Sequence, residues 1–513
     1  MFSSVLNAQS LNLIPYPQKV TELSSTFQVK KGAWLYSSNA GYKRELNYLN
    51  SELGSKGNNK QLLKIIVDPF IGKPGSYQLN TTAKKISITA ADKAGVFNAT
   101  ITLLQLYRSA KSNGTYVTLP GLRITDEPRY EWRGFMLDES RHFFGKQTVK
   151  NLLNWMAFYK LNRFHWHLTD AQGWRVEIKK YPLLTKVGGI GNFTDSTATA
   201  QYYTQQDIKE IVAYAKRRNI EVVPEFDMPG HATAANKAYP QYSGGKVTGF
   251  DDFTFNPGKE ITFQFVADVL KELKPLFPDG RIHIGGDEVF MGIKAWDNNQ
   301  DVKALMTEKG FTDKQQAEAY FLKRVADTVT KLGYKVMCWD EAVAANLPVN
   351  NVIINWWRQN KPEALTQALS SGYQVILSPR LPMYFDFVQD STHVSGRKWD
   401  GRYNTYLDVY HFPENSLTKD VYENKKVIGV QANLWTETVV TKNRLYYLVF
   451  PRMAALAESG WTIGDSKNDV LFNSSLKAHL DYYKAAGIYY YNPFNPTENI
   501  EAVDVKPKAG AQD

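Results

Sequence analysis

The sequence predicts an α/β protein: a closed (β/α)8 barrel preceded by a small α/β domain. Three observations carry this. Beyond about residue 128, apolar runs of strand length recur eight times, at 134–138, 163–168, 220–226, 281–286, 335–339, 352–357, 374–378 and 427–433. Helical stretches with one apolar face lie between several of them. Links into the strands are short (Leu161-Asn162, Asn219, Leu332-Gly333-Tyr334, Gly372-Tyr373), whereas links out of them are long, at 171–203, 228–259, 289–312 and, longest, 379–426. Parallel strands covered on both faces read as continuous apolar runs. Eight of them alternating with helices close into a TIM barrel, whose active sites are built from the loops after the strands.

In chain order, residues 1–127 read as the N-terminal α/β domain, 128–490 as the barrel and 491–513 as a C-terminal tail. In the first, Phe27-Gln28-Val29 and Trp34-Leu35-Tyr36 are short strands and 62–67 is β-rich. Residues 77–80 and 85–89 alternate as a hairpin around Thr81-Thr82-Ala83. Asp92 is placed to cap a helix that buries Phe97, Ile101 and Leu104. No acids, bases or ligands cluster there, so this domain reads as structural. In the barrel, Val149, Leu152, Leu153 and Met156 share a helix face. So do Ile208, Ile211, Val212 and Ala215, and again Leu322, Val325, Ala326 and Val329. After about Asn495 the chain has no aromatic residue and is expected to fray. Residues 2–9 contain no Lys or Arg and are too short for a full secretory leader. They read as the remnant of one cut near Ala8, which suits a periplasmic or secreted location.

Composition removes whole classes of function. Of 513 residues, 43% are hydrophobic and 22% charged, the balance of a globular chain rather than a disordered or collagen-like one. No apolar run approaches the ~18 residues of a membrane span. The net charge of +10 comes from scattered Lys and Arg, not from a block resembling a nucleic-acid tail. The single cysteine, Cys338, forbids internal disulfides and a Cys-rich zinc site. On an apolar strand beside Trp339 it reads as a buried, inert thiol. Aromatic residues reach 13%, an excess that suits a ligand stacking on rings, such as a sugar.

The strand ends carry the chemistry. They offer Asp138, Arg141 and His142; His165, His167 and Asp170; Glu225, Asp227 and His231; Asp287 and Glu288; Trp339, Asp340 and Glu341; Trp356, Trp357 and Arg358; Tyr384 and Asp386; and Trp435 and Glu437. The sharpest is Asp287-Glu288, preceded by Gly285-Gly286. Adjacent carboxylates repel, so one should hold its proton to higher pH, and a protonated carboxyl beside an ionised one suits glycosidic cleavage. A retaining glycosidase ordinarily needs two carboxyls about 5 Å apart across the bond. Successive side chains on an extended chain diverge. A division of labour fits better: one carboxyl protonates the leaving oxygen, and the other orients a 2-acetamido group of the substrate that acts as nucleophile.

The run His283-Ile284-Gly285-Gly286-Asp287-Glu288 resembles the catalytic motif of family 20 glycoside hydrolases, the β-N-acetylhexosaminidases. Five further stretches resemble the family in order: Arg133-Gly134-Phe135-Met136-Leu137-Asp138-Glu139-Ser140-Arg141-His142, His165-Trp166-His167-Leu168-Thr169-Asp170-Ala171-Gln172-Gly173-Trp174-Arg175, Pro224-Glu225-Phe226-Asp227-Met228-Pro229-Gly230-His231, Tyr384-Phe385-Asp386 and Leu434-Trp435-Thr436-Glu437. Together they span about 130–460, and residues 1–127 resemble the family's α/β companion domain. The resemblance implies Glu288 as general acid and then base, Asp287 as the partner of the acetamido N–H, and Tyr384 as donor to the acetamido oxygen. It implies that Arg141 grips the 3- and 4-hydroxyls, that Asp386 and Glu437 accept from the outer hydroxyls, and that Trp339, Trp357 and Trp435 wall the sugar. Asp170 and His231 would tune Glu288 from behind. Of the adjacent Trp356 and Trp357, only one can line the pocket if the strand is regular, and the Trp before Arg358 is the choice. The expected partner is an oligosaccharide or glycoconjugate ending in β-N-acetylhexosamine. No cofactor, metal, nucleic acid or membrane span is expected.

Two rival readings stay open at this point. His165-x-His167 at a strand end also opens metal-dependent amidohydrolase barrels, and with His231, His283 and Asp340 it could assemble a zinc site. A non-catalytic sugar-binding homologue is the other, although retention of Asp287, Glu288 and Tyr384 together speaks against it. No Gly-x-Ser-x-Gly elbow, phosphate-binding loop or His-Glu-x-x-His motif occurs.

Overall fold

The computed structural model describes residues 11–57, 59–393, 395–398 and 401–503. The expected leader remnant and the last ten residues lie outside that set. Strands of the N-terminal domain run in the order Lys19–Lys30, Tyr116–Asp126, Tyr77–Thr81, Ile86–Ala90, Lys60–Val67 and Trp34–Tyr36, with Lys111–Ser112 pairing beside the second of them. Leu79, Ile88, Leu119 and Leu63 bury the inner face of this sheet, and the helix Lys93–Ser109 presents Val96, Phe97, Ile101 and Leu104 to the same core. The Asp92 carboxylate accepts from Gly95 N–H at 2.7 Å and caps that helix. The hairpin pairs Tyr77 with Ala90 and Thr81 with Ile86. The short strand read at Phe27–Val29 is the end of a twelve-residue strand, and the helix Lys43–Glu52 was not anticipated. Much of Lys19–Thr26 is exposed, so its sequence lacks the alternation that marks a half-buried strand.

The barrel strands are β1 (Trp132–Asp138), β2 (Arg163–His167), β3 (Glu221–Glu225), β4 (Arg281–His283), β5 (Lys335–Trp339), β6 (Val352–Trp356), β7 (Gln374–Leu377) and β8 (Val427–Leu434). They close in sequence order, β8 pairing with β1, and every pairing is parallel. Alternation decides what enters the barrel. On β2, Phe164 and Trp166 join the outer core shared with the helices, while His165 and His167 reach the buried Glu225 of β3. Trp132, Val223, Met337, Ile353 and Ile376 form one apolar cluster, and Met136, Trp339, Trp357, Tyr384, Phe387 and Trp435 form a second near the strands' C-terminal ends. Cys338 faces the outer core, and burial pushes its thiol well up.

The two domains share a buried polar joint. Lys160 Nζ reaches Asp126 Oδ2 at 3.2 Å and Tyr77 Oη at 2.9 Å, and Trp461 Nε1 donates to Asp126 Oδ1 at 2.9 Å. Glu458, in the helix Arg452–Trp461, accepts from Tyr16 N–H at 2.9 Å. The stretch expected to fray beyond Asn495 is tied down as far as Glu501, which pairs with Arg444 at 2.6 Å. Among the described residues no helix is long and apolar enough to cross a membrane.

Candidate active site

A cavity of about 110 Å³ opens at the C-terminal ends of the strands. Trp339, Trp357, Tyr384 and Trp435 line it, with Asp287, Glu288, Arg141 and Glu437 between them. Trp357 and Tyr384 lie nearly parallel, centroids 6.4 Å apart, and Trp435 meets Trp339 at 5.9 Å. Trp356, one residue earlier on β6, packs into the outer core. A larger crevice of about 660 Å³ lies near the strands' N-terminal ends, lined by residues of both domains such as Asn98 and Arg163, and contains none of the strand-end groups.

Backbone geometry explains how two neighbouring carboxyls face one space. β4 is only three residues long because Gly285 and Gly286 leave it at φ +68° and +90°. A Cβ on Gly285 would overlap Asp227 Oδ1, and Gly286 N–H donates to that same oxygen at 3.3 Å. Glu288 is itself left-handed, at φ 51°, an unusual state for a residue with a side chain. The divergence expected of an extended chain therefore does not apply. His231 Nε2 stands 3.8 Å from Asp287 Oδ2 and 3.6 Å from Glu288 Oε2.

The charges around the pair set opposite proton affinities. Burial and the Asp227 carboxylate push Asp287 well above the ordinary carboxylate range. Burial acts on Glu288 in the same sense, but the His231 imidazolium, Arg141 and Arg380 outweigh it and hold Glu288 low. His231, although buried, is kept well above the imidazole range by Asp170 and Asp227, and Asp170 Oδ1 meets its Nδ1 at 3.0 Å. Burial pushes Asp227 up to about 7 against the pull of His231. Of the two, Asp287 therefore holds a proton to higher pH than Glu288. Burial also raises Tyr384, so its hydroxyl stays a donor.

The sequence-predicted residues fall into two sets. Asp287, Glu288, Tyr384, Arg141, Trp339, Trp357, Trp435 and Glu437 line the cavity. Asp170, His231 and Asp386 are buried outside that lining. Arg141 is not a free fork: Nη1 is 2.6 Å from Asp170 Oδ2, Nη2 is 3.9 Å from Glu437 Oε1, and the guanidinium lies over Trp435. Asp386 lies 3.8 Å from Arg397 Nε. Residue-by-residue reading missed four lining residues, Met291, Arg380, Phe387 and Arg397. Three of them sit in the 379–426 loop, whose length was the only signal. Glu341, offered by the end of β5 but given no role by the sequence, accepts from Trp357 Nε1 at 2.9 Å and fixes that indole.

Three of the histidines meet at one buried carboxylate. Glu225 is met by His165 Nε2 at 2.9 Å, His167 Nδ1 at 2.7 Å, His283 Nδ1 at 3.0 Å and Trp339 Nε1 at 2.8 Å. Among the described residues, three buried groups bring ligand atoms together: His165, Glu225 and His283; His167, Asp170 and Asp227; and Asp227, His231 and Asp287. The set needed for the amidohydrolase reading does not converge, because Asp340 is paired with Arg358 at 2.9 Å and belongs to none of them.

Comparison with known proteins points the same way. Residues 130–463 match the family model described as glycosyl hydrolase family 20, catalytic domain, and residues 10–127 match the one described as domain 2 of that family. A beta-hexosaminidase of Porphyromonas gingivalis is 34% identical over 94% of this chain, which spans 65% of that protein's length. A beta-hexosaminidase of Vibrio furnissii is also 34% identical, over 88% of this chain and 77% of its own. The GH20 exo beta-N-acetylglucosaminidase of Vibrio harveyi, solved with N-acetylglucosamine, superposes with a TM-score of 0.86 at 30% identity, covering 95% of this chain and 79% of that one.

Proposed function

The chain belongs to glycosyl hydrolase family 20, and from that premise we propose that it is an exo-acting β-N-acetylhexosaminidase. It releases terminal non-reducing β-linked GlcNAc or GalNAc from oligosaccharides or glycoconjugates by a retaining, substrate-assisted route. The observation that carries this reading is the pair Asp287 and Glu288, turned by a left-handed Glu288 to face one aromatic-walled cavity.

The acetamido carbonyl oxygen attacks C1 as the bond from C1 to the leaving oxygen breaks, and Glu288 gives that oxygen its proton. The product of this step is a cyclic oxazolinium ion. Asp287, ionised, accepts the acetamido N–H and balances the ring's positive charge. Tyr384 donates to the acetamido oxygen. Water then adds to C1, Glu288 takes its proton, and the acetamide is restored with the anomeric configuration retained. An N–H arriving at Asp287 favours its ionised form, so sugar binding shifts proton affinity from Asp287 toward Glu288. His231 Nε2 stands within 3.8 Å of both carboxylates and favours the anionic form of either.

A panel of aryl β-GlcNAc, β-GalNAc and β-glucoside substrates tests the proposal. Cleavage confined to the two acetamido sugars, with strong inhibition by a stable thiazoline mimic of the intermediate, is expected. Glucosides turned over at a comparable rate would overturn it.

A further inference from the structure

Arg397 stands at the rim of the cavity, where its Nη2 is 3.3 Å from Glu437 Oε1 and its Nε is 3.8 Å from Asp386 Oδ2. It therefore bridges the two carboxylates to which the family resemblance gives the sugar's outer hydroxyls, Glu437 in the cavity lining and Asp386 buried outside it. No barrel strand or long helix carries it. Its backbone forms an isolated bridge with Phe387, and its carbonyl accepts from Val388 N–H at 3.1 Å.

What holds this segment lies behind it. Arg444, fully buried on the helix Lys442–Val449, donates from Nη2 to Ser395 O at 2.7 Å and from Nη1 to Glu501 Oε1 at 2.6 Å. The same carboxylate oxygen accepts from Ser395 N–H at 3.3 Å. Between Ser395 and Arg397, Gly396 sits at φ +118°, where a Cβ would come within 2.8 Å of Val388 Cγ1 and 2.9 Å of Arg444 Nη2. Glu501 follows the last helix, Asp469–Ala485, in a stretch folded back on itself. There Tyr489 Oη donates to Ile500 O, and Asn499 Nδ2 donates to Tyr490 O at 3.0 Å. The side chains of Arg444 and Glu501 are 0% and 7% exposed, so neither charge has water to replace its partner.

We propose that Glu501 and Arg444 are a positioning pair through which the C-terminal stretch fixes Arg397 at the cavity rim and so sets how Asp386 and Glu437 grip the terminal sugar. This rests on the reading of the cavity as an N-acetylhexosamine site. A rim side chain on an irregular segment is only as precise as the contacts behind it, and here those contacts converge on one buried guanidinium.

The test is a mutant cycle on the full chain with an aryl β-GlcNAc substrate, joined to amide hydrogen exchange. Glu501→Ala is expected to raise KM about tenfold, the size of effect that losing a charge-assisted contact brings, with kcat changed much less. Glu501→Gln, which keeps the shape but gives up the charge, recovers only part of the loss, and the remainder carries the cycle if the Ala variant does not fold. Arg397→Ala has a similar effect, and the double variant is no worse than either single one, because both losses pass through one side chain. Exchange of the Val388 amide, bonded to Arg397 O, speeds up in the Glu501 variant. Losses that multiply, or an unchanged Val388 amide, would overturn the inference. A wild-type chain inactive on every acetamido glycoside would instead overturn the reading of the cavity, and Val388 exchange would still decide whether Glu501 governs the Arg397 segment.

Discussion

Asp287 and Glu288 are chemically alike and adjacent, yet their surroundings separate them: burial and Asp227 raise the first, whereas His231 with two arginines outweighs burial and lowers the second. If Glu288 supplies the proton, Glu288→Gln should cost about 10³-fold in kcat/KM on chitobiose and far less on aryl glycosides whose leaving group departs unaided. The high-pH limb of its kcat/KM profile should also vanish. Equal losses on both leaving groups would contradict the acid role. Asp287→Asn should impair both substrates alike, because the acetamido N–H loses its acceptor whatever leaves; a penalty confined to chitobiose would count against that role. The pairing itself was readable from Gly-Gly-Asp-Glu at a strand end. Which carboxyl holds the proton was not, because the deciding groups, Asp227 and His231, lie about sixty residues away in sequence and act through space.

Among the elements, β4 and its turn show how little of a site is side chain. Gly285 leaves no space for a Cβ beside Asp227, whereas a Cβ on Gly286 would meet Leu322 Cδ2 at 3.4 Å, an ordinary contact. Gly286→Ala should therefore cost only the left-handed backbone, about 1–2 kcal/mol. Gly285→Ala should cost clearly more and lose activity, because Asp227 must move. Urea unfolding of the two variants measures this, and equal destabilisation would refute the steric account. The eight barrel strands were legible because each is largely buried and rich in apolar residues, even where polar groups such as His165 and His167 turn inward. The strand Lys19–Lys30 was legible only at its buried end, and Arg380 and Arg397 escaped notice because a long loop has no period from which to read direction.

For the molecule as a whole, stability should depend on pH in a definite sense. Burial pushes Glu458, at the joint between the domains, up to about 7, against bonds from Thr462 and Tyr16. Glu139 and Asp227 are raised to about 7 as well. Unfolded, these carboxyls titrate near ~4. Between those values these three carboxyls bind more protons in the folded chain than in the unfolded one, so the stability they contribute falls as pH rises. Glu458→Gln should remove its share, on the order of 3 kcal/mol, and make the urea midpoint decline less between pH 5 and pH 8. Parallel declines in variant and wild type would count against it. The two-domain order was plain from composition and motif order, but the joint was not, since Lys160, Asp126 and Glu458 look like surface charges until the domains close over them. One last property belongs to the entire chain. Its only sulfhydryl is sealed between the barrel wall and the surrounding helices, so a thiol-reactive dye has nothing to label while they stay packed. The rate at which dye is taken up therefore times the parting of helices from strands, and a cysteine introduced on the surface can be tagged without competition from within.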